Sequence, residues 1–319
     1  MNHALLLDKN GGAKELTYED INDTKLNKDG ILWVHFDYSS PIAREWIRNK
    51  SGIDSVAIDA LLTEETRPRT TILGDSLLIA LRGVNLNPNS KPEDMVSIRL
   101  FISPDLIIST KRRNLLSVDE IKDCLSRNIG PKSSSEFLKE LTYRVISRMD
   151  NVIDEIADRT DFLEESLVDF GDLKFRSELL AVRRETIILR RYLFPQKEAI
   201  SKLYHDKVTW LNEYEKLELR ETNDQVMRYI EELDTIKDKV ALIQEDLANK
   251  LSEQMNKKMY VLSIISVIFL PLSFLTGLLG INVGGIPGAN NDNAFYIFVG
   301  VLALIVTSQL IIFKRNRWI

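Results

Sequence analysis

The chain has 319 residues, 44% of them hydrophobic and 28% charged, an ordinary soluble composition with a formal net charge of −5. All but three of its 42 Lys+Arg and all but one of its 47 Asp+Glu lie in residues 1–258, which leaves −7 there and +2 in residues 259–319. Nothing concentrates positive charge, which excludes nucleic acid as a partner, and a single cysteine, Cys124, excludes a disulfide framework or a Cys-based zinc module.

Residues 1–8 lack the long apolar core and cleavage site of a signal peptide. Beyond them, residues 31–36, 76–84, 95–102 and 106–110 are short, rich in Val, Ile and Leu, and bounded by Gly, Pro, Asn or Asp, which predicts strands. Residues 41–49 and 56–62 read as helices between them. Residues 1–130 are therefore expected to form a mixed α/β domain, closed by Pro131 and the serines at 133–135.

Residues 131–258 read as a helical domain and stalk. One long amphipathic helix is predicted over residues 135–170, with Phe137, Leu141, Val145, Val152, Ile156, Leu163, Leu167 and Phe170 on one side. Its other side is acidic, and Asp154, Asp158, Asp161 and Glu165 on it form either a solvated face or a surface that attracts cations near a pore mouth. A helix over residues 174–194 is expected to stop at Pro195, its Arg183, Arg184, Arg190 and Arg191 free to pair with the acidic helix. Thr222-Asn223-Asp224-Gln225 has the form of a capping box. After it Val226, Ile230, Leu233, Ile236, Val240, Ile243, Leu247 and Leu251 repeat at three and four residues, and no Gly or Pro intervenes before Pro271. A helix over residues 222–279 would reach roughly 87 Å at about 1.5 Å per residue.

Two runs without a charge close the chain. Residues 259–281 are 23 long and residues 295–313 are 19 long, against roughly 20 needed to cross a bilayer core of about 30 Å. Lys250, Lys257 and Lys258 precede the first, Lys314, Arg315 and Arg317 mark a basic tail at 314–319, and the connector 282–294 has no basic residue. The positive-inside rule then puts both termini in the cytoplasm and the connector outside. Two spans cannot enclose a pathway, so transport requires several copies around an axis. Ser263, Ser266, Ser273, Thr276, Gly277 and Gly280 give the first span a small, weakly polar face. Such a face serves either dry helix packing in lipid or a pore lining.

Enzyme chemistry is not expected. His3, His35 and His205 are scattered, and there is no H-x-x-x-H or C-x-x-C pair, nucleophile elbow, Walker loop or dinucleotide fingerprint. What the connector does carry is Gly280-Ile281-Asn282-Val283-Gly284-Gly285-Ile286-Pro287-Gly288. Together with Phe274–Leu279 this run resembles the end of the pore helix in the CorA superfamily of divalent-cation transporters, and within it the ZntB-type zinc transporters. The magnesium branch tends instead to have Tyr-Gly-Met-Asn and an acidic Met-Pro-Glu loop. The resemblance continues through Trp33-Val34-His35-Phe36-Asp37-Tyr38, Glu65-Thr66-Arg67-Pro68-Arg69, Ser109-Thr110-Lys111-Arg112-Arg113 and Arg191-Tyr192-Leu193-Phe194-Pro195-Gln196, nearly the whole chain.

That resemblance implies a funnel-shaped homopentamer in the bacterial inner membrane, with no cofactor and Zn2+ as cargo. It implies a selectivity loop of Gly280, Ile281, Asn282, Val283, Gly284 and Gly285, with Asn282 holding the hydrated cation. By family position Met259, Leu262, Ser263, Ser266, Leu270, Ser273 and Gly277 line the pore, Met259 and Leu270 as apolar constrictions suited to dewetting. The loop's chemistry agrees: glycines free backbone carbonyls, and Asn282 adds a neutral amide oxygen that does not trap the ion. Asn282 could also be a plain helix C-cap. A Mg2+, Co2+ or Ni2+ channel is the alternative within this class, and a membrane-tethered metal sensor without transport the alternative outside it.

On driving force, family and residues diverge. Resemblance to ZntB-type transporters implies proton-stimulated uptake. Between Lys258 and Asp292, however, the only titratable side chain is Tyr260, whereas proton-coupled transporters place Asp, Glu or His in the membrane. The residues favour entry driven by the membrane potential.

Overall fold

The computed structural model describes residues 3–22, 30–64, 67–166, 173–281, 286, 288 and 291–316. Strands β1 (His3–Leu7), β2 (Ala13–Leu16), β3 (Ile31–Asp37), β4 (Arg69–Leu73), β5 (Ser76–Gly83), β6 (Val96–Ile102) and β7 (Leu106–Lys111) make one sheet. Their order is β2-β1-β3-β7-β6-β5-β4, with β3 and β7 parallel and the other neighbours antiparallel. Successive side chains point to opposite faces, so the strands feed two cores. Leu5, Leu7, Ile31, Trp33, Leu77, Ile79, Leu81, Leu100 and Ile107 are buried on one face, and Leu32, Val34, Phe36, Leu78, Phe101 and Ile108 on the other. Burial on both faces explains why the central strands read as unbroken apolar runs. Gly30 enters β3 so close to β1 that a Cβ would lie 2.3 Å from the Leu7 carbonyl oxygen.

Helices cover both faces. The pair α1 (Pro41–Asn49) and α2 (Ser55–Leu62) buries Ala43, Trp46, Ile47, Ala57 and Leu61 against the second core. Pro41 starts α1, where its missing N–H costs nothing, and Asp54 caps α2 by accepting from the Val56 N–H at 2.7 Å. The first core is closed by α3 (Leu116–Ser126), α4 (Ser134–Ser147), α5 (Asp150–Glu165), α6 (Leu173–His205) and the first part of α7 (Glu213–Gly280). Residues on either side of position 130 share that core. Two compact units are Met1–Ile243 and Gln244–Ile319, the second holding the end of α7 and α8 (Ala294–Arg315).

The predicted strands and the two short helices are all present, α1 over its predicted residues and the strands within two residues at either end. Four elements carry no clear sequence signal: β1, β2, β4 and α3. The single helix expected over 135–170 is two, because the chain turns at Arg148 and Met149. Met149 is buried at the bend, and neither residue is a breaker, so the apolar spacing runs on across it. Leu167 and Phe170 lie outside the described residues.

Pro195 does not end α6, which runs to His205. Packing overrides the lost donor: Leu193, Ala199, Ile200 and Leu203 are buried around it, and Thr70 Oγ1 donates to the Ala199 carbonyl at 2.7 Å. Gln196 pairs with both backbone groups of Arg82, accepting from its N–H at 2.7 Å and donating to its carbonyl at 2.9 Å. Nor does Thr222 start a helix. It sits inside α7, its hydroxyl bonded to the Glu218 carbonyl. The capping box lies ten residues earlier: Asn212 Oδ1 accepts from the N–H groups of Tyr214 and Glu215, while Glu215 Oε2 accepts from the Asn212 N–H. Of the α6 arginines, Arg190 turns away from the acidic helix. Arg190 pairs with Asp234 of α7 at 2.6 Å, and the α5–α6 seam runs the other way, from Arg159 of α5 to Glu178 and Glu185.

Candidate functional site

The end of α7 and α8 are the two described helices long and apolar enough to cross a membrane. On α7 the less exposed residues are Ile264, Ile268, Pro271, Leu272 and Leu275, spaced by three and four. They face α8: Leu275 shares an apolar cavity with Phe298 and Val301, and Gln309 reaches back to the α7 backbone. Met259, Leu262, Ser263, Ser266, Leu270, Ser273 and Gly277 are all exposed. At about 100° per residue they fall within roughly 100° of arc on the opposite side of the helix. The fold thus gathers the expected pore positions on one charge-free face.

Three hydroxyl groups on this segment are satisfied locally, as a low-dielectric surrounding demands. Ser263 and Ser266 donate to the carbonyls of Met259 and Leu262 at 2.9 Å, and Thr276 donates to that of Leu272. Their hydrogens are engaged, while the oxygen lone pairs stay available to a hydrated cation. Gly277 and Gly280 have open space where a Cβ would stand. Ile281 is exposed at the helix end, and Asn282, Val283, Gly284 and Gly285 lie outside the described residues.

Pro271 interrupts this helix chemically without ending it. Having no N–H, it leaves the Val267 carbonyl without its usual donor four residues on. Gln309 Nε2 of α8 donates to that oxygen at 3.1 Å. Replacing Gln309 with Leu is expected to lower the stability of the helix pair by about 0.6 kcal/mol, the mean for interhelical hydrogen bonds in membranes, and by no more than about 1.7 kcal/mol. Thermal unfolding in nanodiscs measures this, and Pro271→Ala should recover part of the loss by restoring the N–H. Additive effects in the double variant would mean that the bond contributes nothing.

The acidic side of α5 is only partly a free surface. Lys239 of α7 lies 2.7 Å from Asp161 and 3.7 Å from Glu164, and its pKa is raised by the bond to Asp161. Asp154, Asp158 and Glu165 are exposed. Glu232 on α7 holds its proton more strongly than usual, through burial first and then the carboxylates of Asp154 and Asp150. The local field is negative there. Among the described residues, no three His, Cys, Asp or Glu side chains converge as a metal cage.

Residues 28–315 match the family described as CorA-like Mg2+ transporter protein. This chain belongs to that family. Over 99% of its length it is 39% identical to the divalent cation transporter CmaX of Pseudomonas aeruginosa, covering 96% of that protein. It is 33% identical to the zinc transport protein ZntB of Pectobacterium carotovorum subsp. carotovorum, over 99% of this chain and 95% of the relative. The structure of full-length CmaX superposes with a TM-score of 0.85 at 39% identity, over 99% of this chain and 97% of the other. As a CorA-family member the chain is a divalent-cation transporter, not an enzyme.

One grouping in this CorA-family chain is invisible in its sequence. His3 and His35 are opposite each other in the β1–β3 register, their rings stacked 5.0 Å apart. His35 is fully buried with Nδ1 2.7 Å from Ser109 Oγ, which also accepts from Trp33 Nε1 at 2.9 Å. The Nε2 atoms of both rings have no partner. His205 is elsewhere, its ring against that of Tyr204.

Proposed function

We propose that the chain assembles as a homopentamer and admits Zn2+ through a pore lined by Met259, Leu262, Ser263, Ser266, Leu270, Ser273 and Gly277. Gly280, Ile281, Asn282, Val283, Gly284 and Gly285 form its outer mouth, and residues 1–258 and the basic tail are cytosolic. The observation that carries this reading is the exposed, charge-free α7 face opposite α8. A membrane helix with such a face needs copies of itself, and a ring of copies encloses a pathway. Apolar rings at Leu270 and Met259 gate by dewetting, while the hydroxyl rings between them accept hydrogen bonds from the ion's water shell. Asp154, Asp158, Asp161 and Glu165 add a negative field that draws cations to the cytosolic side.

Zinc is favoured by the ZntB relatives and by a neutral Val283-Gly284-Gly285 loop. The family description, by contrast, names Mg2+, and CmaX is named only for divalent cations. Competition among Zn2+, Mg2+, Co2+ and Ni2+ for uptake into proteoliposomes decides between them. An ion of charge two gains roughly 4.6 kcal/mol across 100 mV, enough for accumulation of more than about a thousandfold. With the potential clamped at zero and an inward proton gradient applied, zinc should only equilibrate. Uphill zinc entry under that clamp would establish proton coupling and overturn the potential-driven reading. Preferred Mg2+ entry would assign the magnesium branch, and no entry of any ion would leave a sensor.

A further inference from the structure

Two helix faces in the N-terminal unit leave large apolar side chains in water. On α6, Leu180, Ile187 and Phe194 recur every seven residues and are all exposed, Leu180 by 58%. At about 100° per residue they fall within roughly 40° of arc, the spacing of a helix–helix seam. Arg184 and Arg191 flank the stripe, both exposed. Arg191 bonds the Tyr192 hydroxyl at 3.0 Å, and neither guanidinium has a carboxylate partner among the described residues.

The outer face of α5 is its complement. Phe162 is 67% exposed there, next to Asp154, Glu155 and Asp158, which are exposed and make no ion pair among the described residues. At about 100° per residue these four span roughly 100° of arc. The two faces do not meet within one copy. Glu178 and Glu185, which hold Arg159 of α5, lie roughly 140–160° around α6 from Leu180 at about 100° per residue, so the stripe points away from its own α5.

A second copy has what covers it. The helices run antiparallel, because a short connection joins them and Arg159, near the end of α5, meets Glu178, near the start of α6. Rotation about an axis along them keeps every residue at its height. Counting about 1.5 Å per residue from the level of Arg159, Phe162 comes within roughly 2 Å of the height of Leu180, and Arg184 falls between Asp154 and Asp158.

We propose that the α6 stripe of one copy docks on the acidic α5 face of the next, with Leu180 against Phe162 and Arg184 between Asp154 and Asp158. The contact rests on the ring assembly proposed above. It is head-to-tail, the type of interface that closes into rings. Apolar burial drives it, and opposite charges set its partner and register. Asp154, Glu155, Asp158 and Glu165 outnumber Arg184 and Arg191, so α5 keeps a negative field.

The test is disulfide trapping in the full-length protein with Cys124→Ser. Differently tagged Phe162→Cys and Leu180→Cys chains are co-expressed and oxidised in membranes. A mixed disulfide between the two tags is expected, at least about tenfold above that from two differently tagged Phe162→Cys chains. Arg184→Glu should cut its yield at least about fivefold, and adding Asp154→Arg and Asp158→Arg should restore it. All these positions are exposed, so folding is expected to persist. Mass measurement in nanodiscs runs alongside. Five copies without a mixed disulfide would overturn this contact and leave the ring standing, whereas single copies would overturn both. A yield that ignores Arg184→Glu would remove the charge pairing on which the register rests. A fluorophore on Leu180→Cys quenched by brominated phosphatidylglycerol would assign the stripe to the membrane surface, and this too would overturn the proposal.

Discussion

Asn282→Ala should lose most metal entry, at least tenfold, while the protein still folds and assembles at wild-type mass in nanodiscs. Asn282 would supply the only side-chain carboxamide oxygen in Gly280-Ile281-Asn282, five of them in a pentamer. A hydrated divalent cation arriving at the mouth needs oxygen partners for its water shell, and Mg2+ in particular dehydrates reluctantly. Neutral amides hold the shell without trapping the ion, and alanine offers nothing in their place. If Asn282 merely caps α7, the outcome differs in kind: stability falls modestly and flux persists. Flux at the wild-type rate through a correctly assembled variant would take Asn282 out of the ion path.

Acidification from pH 7.5 to 5 is expected to destabilise the N-terminal unit by roughly 2 kcal/mol through His3 alone. Burial, followed by the charges of Lys122 and Lys111, lowers the His3 pKa from 6.5 to about 4. His35 is pushed down as well, by burial first and then by His3 and Lys111. Both imidazoles are neutral in the folded protein at pH 7. Below about 6.5 the unfolded chain takes up their protons and the folded chain does not. Stability is therefore complete above pH 6.5 and falls steadily toward pH 4. Denaturant unfolding at the two pH values measures the loss, and His3→Gln should remove about the His3 share of it. If the wild-type midpoint is the same at both pH values, water reaches the pair and the imidazoles titrate normally.

Much of the architecture is legible from residues alone, and for local reasons. Two uncharged runs flanked by basic residues mark the membrane helices, because no other solvent tolerates them so cheaply. Pro41 at the first turn and the apolar spacing after it place α1. The α7 face is readable because helical periodicity places residues 259, 263, 266, 270, 273 and 277 together whatever surrounds them. Asn282 stands out by its glycines, a covalent property of the chain.

What depends on tertiary structure is every feature set by a partner distant in sequence. Met149 is buried at the bend between α4 and α5, and α6 passes through Pro195 held by β-strand residues more than a hundred positions away. The start of α7 is ambiguous in the sequence because Thr222 and Asn212 both offer capping chemistry, and the fold uses only one of them. His3 and His35 meet only through the register of β1 on β3. Periodicity is written in neighbours three or four residues apart, whereas strand pairing and packing are long-range choices among many compatible patterns, and the lowest free energy of the whole chain makes them.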